Sequence, residues 1–162
     1  MPVGNSAATT TFTQTSDREL EVSRWFDAPR ELVWEAMTRP EHVRNWWGPR
    51  GTSLTVCEID LRVGGRWRFA LATPEGEVAF FGKYLEIDEP ARVVNTEHYD
   101  VPELRDHPAM VTMTLTEKDG RTFYQVNEIF EAAEHLQGAV ASGMEGGWRE
   151  TLDRLNDLVK TL

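Results

Sequence analysis

The chain has 162 residues, 40% of them hydrophobic, with six Trp, seven Phe and three Tyr, which is enough to fill one core and too short for two full domains. Lys and Arg number 17 against 27 Asp and Glu, so a net charge of −10 at pH 7 repels phosphate backbones and makes nucleic acid a poor partner. The lone cysteine, Cys57, excludes an internal disulfide and a zinc or iron–sulfur centre, and no apolar run approaches the roughly 18 residues of a membrane span, so a soluble, cytoplasmic protein is expected.

Residues 1–17 are rich in Ser, Thr and Ala with one aromatic, Phe12, and read as a mobile leader ahead of a single domain over residues 18–162. Glu19 to Phe26 carries Leu20, Val22 and Phe26 on one parity, the pattern of an amphipathic strand. Asp27 and Pro29 then open a helix to about Thr38, with Leu32, Val33, Ala36 and Met37 as its apolar stripe. Pro40 starts a second short helix bearing Val43, Trp46 and Trp47, which Gly48-Pro49 stops. The two indoles diverge by about 100° on an ideal helix, so both cannot enter one core.

From Leu54 to Phe130 the pattern changes to strands separated by turn residues at Gly64-Gly65, Pro74-Glu75-Gly76, Asp88-Glu89-Pro90 and Asp119-Gly120. Six strands follow, hairpin turns make them antiparallel, and Met110 to Glu117 is the plainest, with Val111, Met113 and Leu115 opposite three threonines. Val140, Met144, Trp148, Leu152, Leu155 and Val159 recur at helical spacing and predict one long amphipathic helix from about His135 to Leu162. Such a stripe is hidden by laying the helix across the concave face of the sheet. The expected fold is α+β: a seven-stranded curved antiparallel sheet wrapped round a long C-terminal helix, with two short helices after the first strand.

The stretches FDAPRELVWEAMTRPEHVRNWWGP, GGRWRF, GKYLEI and GMEGGWRETLDRL, taken in that order, resemble the family named after the activator of heat shock protein 90 ATPase homologue 1, in the START-like, Bet v 1-like superfamily of helix-grip folds. The resemblance covers about Glu19 to Leu162 and implies a cavity between sheet and helix that admits apolar ligands. It implies little about activity, because relatives include cyclases, lipid carriers and stress-regulated proteins, and no shared catalytic motif carries over. Eukaryotic activators add an amino-terminal domain that docks on the chaperone; residues 1–17 are too few to form one, which weighs against a co-chaperone role.

Cofactors and metals are not expected: His42, His98, His107 and His135 share no ligand spacing, and neither a nucleophile elbow nor a phosphate-binding glycine motif is present. Glu97 and Glu128 are the two weak catalytic candidates, since a carboxyl facing an apolar cavity has its pKa raised and suits acid–base work; parity leaves open whether they face inward or outward, and water is the commoner answer. Trp46, Trp67, Phe69, Phe81, Tyr84, Met113, Met144 and Trp148 supply an apolar lining with polar tips, as small-molecule pockets do, although ordinary core packing explains most of them equally well. Cys57 reads as a buried structural thiol. Gly143, Gly146 and Gly147 form either a helix segment cleared for close approach or its entry loop. Residues 39–68 carry a local charge of +3 against −13 elsewhere, either a solvated arginine face or a place that steers an anionic partner. The residues thus lead to a binder of a small apolar or amphipathic molecule, with a cyclase- or dehydratase-type enzyme and a chaperone-associated protein as alternatives.

Overall fold

The computed structural model describes residues 9–162. Alternation at period two produces strands β2 (Glu19–Phe26), β3 (Ser53–Ile59), β4 (Arg66–Thr73), β5 (Gly76–Asp88), β6 (Arg92–Tyr99), β7 (Ala109–Lys118) and β8 (Arg121–Ile129), preceded by a short β1 (Thr11–Gln14). All pairings are antiparallel, in the order β1-β2-β8-β7-β6-β5-β4-β3. The sheet therefore has eight strands rather than the expected seven.

The extra strand lies within the expected leader. Thr11 to Gln14 pair with Leu20 to Ser23, and Phe12 packs against the core beneath the Arg149 guanidinium, 4.8 Å from the ring centroid. A run of β-branched threonines that is too polar to bury itself can still extend an existing sheet edge. The rest of that leader, residues 1–8, lies outside the described residues.

Helices α1 (Arg30–Thr38) and α2 (Pro40–Val43) follow β2 where the proline signals place them. Trp46 and Trp47 do separate. Trp46 is buried and donates its indole N–H to the Ala36 carbonyl at 2.8 Å, which joins the turn after α2 to α1. Trp47 crosses to the sheet and meets Phe69 and Phe80 edge-on, at 5.0 and 5.5 Å between ring centroids.

The expected single C-terminal helix is two: α3 (Ala133–Ala141) and α4 (Met144–Val159). Gly143, at φ 91°, breaks the ladder in the left-handed region that suits glycine, so the chain turns there and restarts. Leu152, Leu155 and Val159 of α4 are buried against the sheet. One side of α4 is held by the β1–β2 edge, through Arg24 to Asp153 at 2.8 Å, Asn156 accepting from the Asp27 N–H at 3.1 Å, and Arg149 donating to the Thr10 carbonyl at 2.9 Å. The other side is held by the loop after α2, where Arg154 donates to the Gly48 carbonyl at 2.7 Å and Glu150 accepts from the Arg50 N–H at 2.9 Å.

The helical glycines do not clear a path to the sheet. A Cβ on Gly146 would meet nothing within 4 Å, and one on Gly147 would only touch Pro49 at 3.6 Å. Gly146→Ala is therefore expected to raise the urea midpoint, by about 1 kcal/mol in unfolding free energy, because it lowers the entropy of the unfolded chain and meets no obstacle. An unchanged or lower midpoint would show that Gly146 has a neighbour which this packing lacks.

Candidate functional site

The inward faces follow from register. Val22, Arg24 and Phe26 of β2 share a face with Tyr124, Val126 and Glu128 of β8, with Val111, Met113 and Leu115 of β7, and with Val93, Asn95 and Glu97 of β6. Glu97 pairs with Ala109 and Glu128 with Val111, so the two glutamates sit diagonally across β7 with a small alanine between them. Their carboxyl groups share a hydrogen bond. Both candidates thus face the interior, contrary to the commoner expectation of a wet outer face.

Burial raises the pKa of both groups, since a low-polarity interior disfavours the charged form. Glu128 is pushed well above the usual carboxylate range, and the charge of Glu97 together with the bond to it adds to the effect of burial. Burial also lifts Glu97, but the hydrogen bond with Glu128 draws it back down. Burial thus favours the neutral form of both carboxyls, more strongly for Glu128, and two carboxyls this close do not ionise independently. The Tyr124 hydroxyl is held neutral, first by burial and then by its nearness to Glu128 and Glu97.

Glu128 is buried, at 4% exposure, whereas Glu97 is only half-buried. Its inward neighbours Asn95 and Val111 are likewise only half-buried, as are Phe80 on β5 and Trp148 and Met144 on α4. Beside them, Trp67 is 5% exposed and its indole N–H has no hydrogen-bond partner. A buried unpaired donor is costly, by about 1–3 kcal/mol, so it marks a place where an acceptor is wanted.

The expected lining residues divide into three groups. Trp46, Trp67, Phe69, Tyr84 and Met113 are buried members of the core, and Met144 and Trp148 pack partly buried against it. Tyr84 belongs to the far end of the interior, towards Cys57 and Asp60; its pKa is raised mainly by burial and secondarily by those two groups. Phe81 joins none of them: it pairs with Arg68 and His98 on the outer face, stacked 4.6 Å from the His98 ring and 5.7 Å under Arg68. Its neighbour Phe80 takes the inward position.

Two clefts lie away from this space. One, of about 280 Å³, runs over Met110 and Ile129 between Arg18 and Pro108. The other, of about 270 Å³, lies between Arg50, Arg154 and Asp157.

Sequence reasoning missed two features. Arg24 lies on the inward parity of β2, 2% exposed, paired to Asp153 and 4.8 Å from the Phe26 ring; the alternation Leu20, Val22, Arg24, Phe26 was the available signal. The unpaired Trp67 N–H had no signal, because only tertiary packing leaves a donor without a partner.

Elsewhere, the loop after β6 binds charge internally: Asp100 meets Arg68 and Arg105 at 2.8 Å each, and those two hydrogen bonds hold its carboxyl below the usual range. His107 lies 2.9 Å from Glu131 and 5.7 Å, ring to ring, from His135. Among the described residues no three His, Cys, Asp or Glu side chains converge on a metal position, and no helix is long and apolar enough to cross a membrane. The arginines of residues 39–68 are spread among separate acidic partners, with Arg39 on Glu35, Arg50 on Asp157, Arg62 on Asp60 and Arg68 on Asp100. Cys57 is buried, and burial pushes its thiol up while Arg44 pulls it slightly down.

A large curved antiparallel sheet with a helix held along its concave side, and ionisable groups facing that side, defines an α+β protein of START-like fold. This chain belongs to the family of the Activator of Hsp90 ATPase homolog 1-like protein, whose pattern matches residues 27–160. A crystal structure from Rhodobacter sphaeroides is similar over 95% of this chain and 100% of that one, with a TM-score of 0.87 and 26% identity. One from Nitrosomonas europaea aligns over 90% of this chain and 96% of that one, with a TM-score of 0.80 and 25% identity. A family member from Silicibacter pomeroyi, 20% identical over 88% of this chain and 98% of that one, has the same fold at a TM-score of 0.72. No curated protein matches the chain in sequence.

Proposed function

We propose that this protein binds a small apolar or amphipathic molecule on the concave face of the sheet, beneath the C-terminal helices. The observation that carries this reading is Glu97, an acidic residue on the inward face that is only half-buried, beside half-buried Asn95, Val111 and Phe80 on the same face. A core closed for packing alone covers such a group or excludes it, because an uncompensated carboxyl in apolar surroundings is costly. Apolar burial drives association, at about 25 cal/mol per Å² before the cost of immobilising the ligand.

Native mass spectrometry of freshly purified protein, followed by a thermal-shift panel of lipids and aromatic metabolites, tests the reading. Retained mass that is released on denaturation, or a melting point that climbs with ligand concentration, is the expected outcome, since a ligand selective for the folded form stabilises it by mass action. Neither retention nor a shift anywhere in the panel would defeat the proposal.

The hydrogen-bonded pair of inward carboxyls, both raised by burial, favours a second reading, an acid–base enzyme of the cyclase or dehydratase type with Glu97 or Glu128 as the acid–base group. It requires that Glu128→Gln abolish turnover of a bound molecule while leaving its binding intact.

A further inference from the structure

Three positions stand in a row across β4, β5 and β6 on the concave face. Trp67 pairs with Gly82, and the register that sets Phe80 against Tyr99, Phe81 against His98 and Tyr84 against Asn95 puts Gly82 opposite Glu97. Adjacent strands lie about 4.8 Å apart, so Trp67 and Glu97 flank a position with no side chain. The Trp67 indole nitrogen leans over that gap: a Cβ on Gly82 would come within 2.7 Å of it. Across the glycine from this unpaired N–H donor stands Glu97, whose carboxyl oxygens have lone pairs to spare beyond the bond to Glu128.

We infer that Trp67, Glu97 and Glu128 form one anchor for the polar end of the ligand, and that this end is an uncharged hydroxyl on a small apolar body. The inference rests on the concave face being the ligand site. The chemistry selects the group. A hydroxyl oxygen accepts from the Trp67 N–H while its hydrogen is donated to Glu97, so one atom completes both partners. A carboxylate only accepts, and so gives Glu97 no donor; an ammonium only donates, and leaves the indole unpaired. A ketone or ester likewise leaves Glu97 without a donor. Glu128, hydrogen-bonded to Glu97, fixes the side of that carboxyl turned to the ligand; it is a positioning residue here.

Phenol and toluene, which differ only in this group, are the probes. The full chain, labelled with ¹⁵N at its tryptophan indoles and ¹³C at its methyl groups, is titrated with each in turn, and the Trp67 resonance is assigned by through-bond experiments and checked with Trp67→Phe. Both probes are expected to move the Val111 and Met113 methyl signals. Only phenol is expected to move the Trp67 N–H downfield, with at least tenfold tighter binding than toluene, and Trp67→Phe is expected to erase that preference. Equal affinities with an unmoved Trp67 signal would overturn the anchor and leave the ligand site standing. If neither probe moves any signal from the concave face, the site itself falls, and the anchor with it. The comparison on unmodified protein decides the matter even if the variant does not fold.

Discussion

Urea unfolding will show this protein losing stability as pH rises from 5 to 9, and Glu128→Gln will flatten that fall. The folded Glu128 holds its proton well above the usual carboxylate range, chiefly because burial penalises the charged form. The unfolded chain releases that proton in the ordinary range, near pH 4 to 5. Across the window above that range the folded state binds more protons than the unfolded state, so alkali favours unfolding. The contribution is complete below the unfolded value and is lost as pH climbs through the folded one, with a slope that approaches about 1.4 kcal/mol per pH unit for one proton. Glutamine keeps a neutral donor for Glu97 and has no proton to lose. Its midpoint at pH 8.5 is expected to exceed the wild-type value, and the two curves are expected to converge toward pH 5. Asp100 is shifted in the opposite direction, so its contribution is lost only on acidification and falls outside this window. Parallel curves for the two proteins from pH 5 to 9 would mean that Glu128 is not a buried, protonated partner of Glu97.

Gly82→Ala will cost about 3 kcal/mol or more, or will prevent folding, although it adds a single methyl group. That methyl carbon would sit 1.9 Å from the Thr96 carbonyl oxygen, a backbone atom of β6, and 2.7 Å from the Trp67 nitrogen. Relief would require β5 and β6 to part exactly where Glu97 projects. The measurement is the midpoint of chemical unfolding, with Gly138→Ala as the control: it lies in α3, has nothing within 4 Å, and is expected to be neutral or stabilising. Equal behaviour of the two variants would show that the strands separate freely at Gly82, and the close juxtaposition of Trp67 and Glu97 would go with it.

Elements whose partners lie nearby in sequence were legible before any coordinates. The period-two run at Glu19–Phe26, the Pro29 and Pro40 helix starts, the Asp119-Gly120 hairpin and the apolar stripe ending in Leu152, Leu155 and Val159 all depend on local geometry and solvent, and the structure has each of them. The break at Gly143 was half visible: the glycines announced an interruption, but only φ 91° at the first of them shows that two helices meet there, while Gly146 and Gly147 continue the second. The strand at Thr11–Gln14 was missed because its own residues bury little; its stability comes from an edge that β2 offers and from Arg149, which lies 137 residues beyond Phe12.

The site was legible in kind and not in arrangement. Two glutamates on strands flanking β7 were recognisable candidates, and aromatic residues were plainly abundant. Their directions depended on register, which a single bulge or a one-residue slip reverses. That is why Phe80 rather than Phe81 faces inward, while the turn after α2 decides that Trp47 rather than Trp46 reaches the sheet aromatics.

By itself, then, the sequence determined an α+β fold, its broad order of strands and helices and its family, because periodicity, turn residues and short motifs are properties of neighbours along the chain. Only the tertiary structure decided that Glu97 and Glu128 meet on the inward face and that Trp67 keeps an unpaired N–H over Gly82. Those properties arise from desolvation and from contacts between strands far apart in sequence, and neither exists until the sheet has closed over its own concave side.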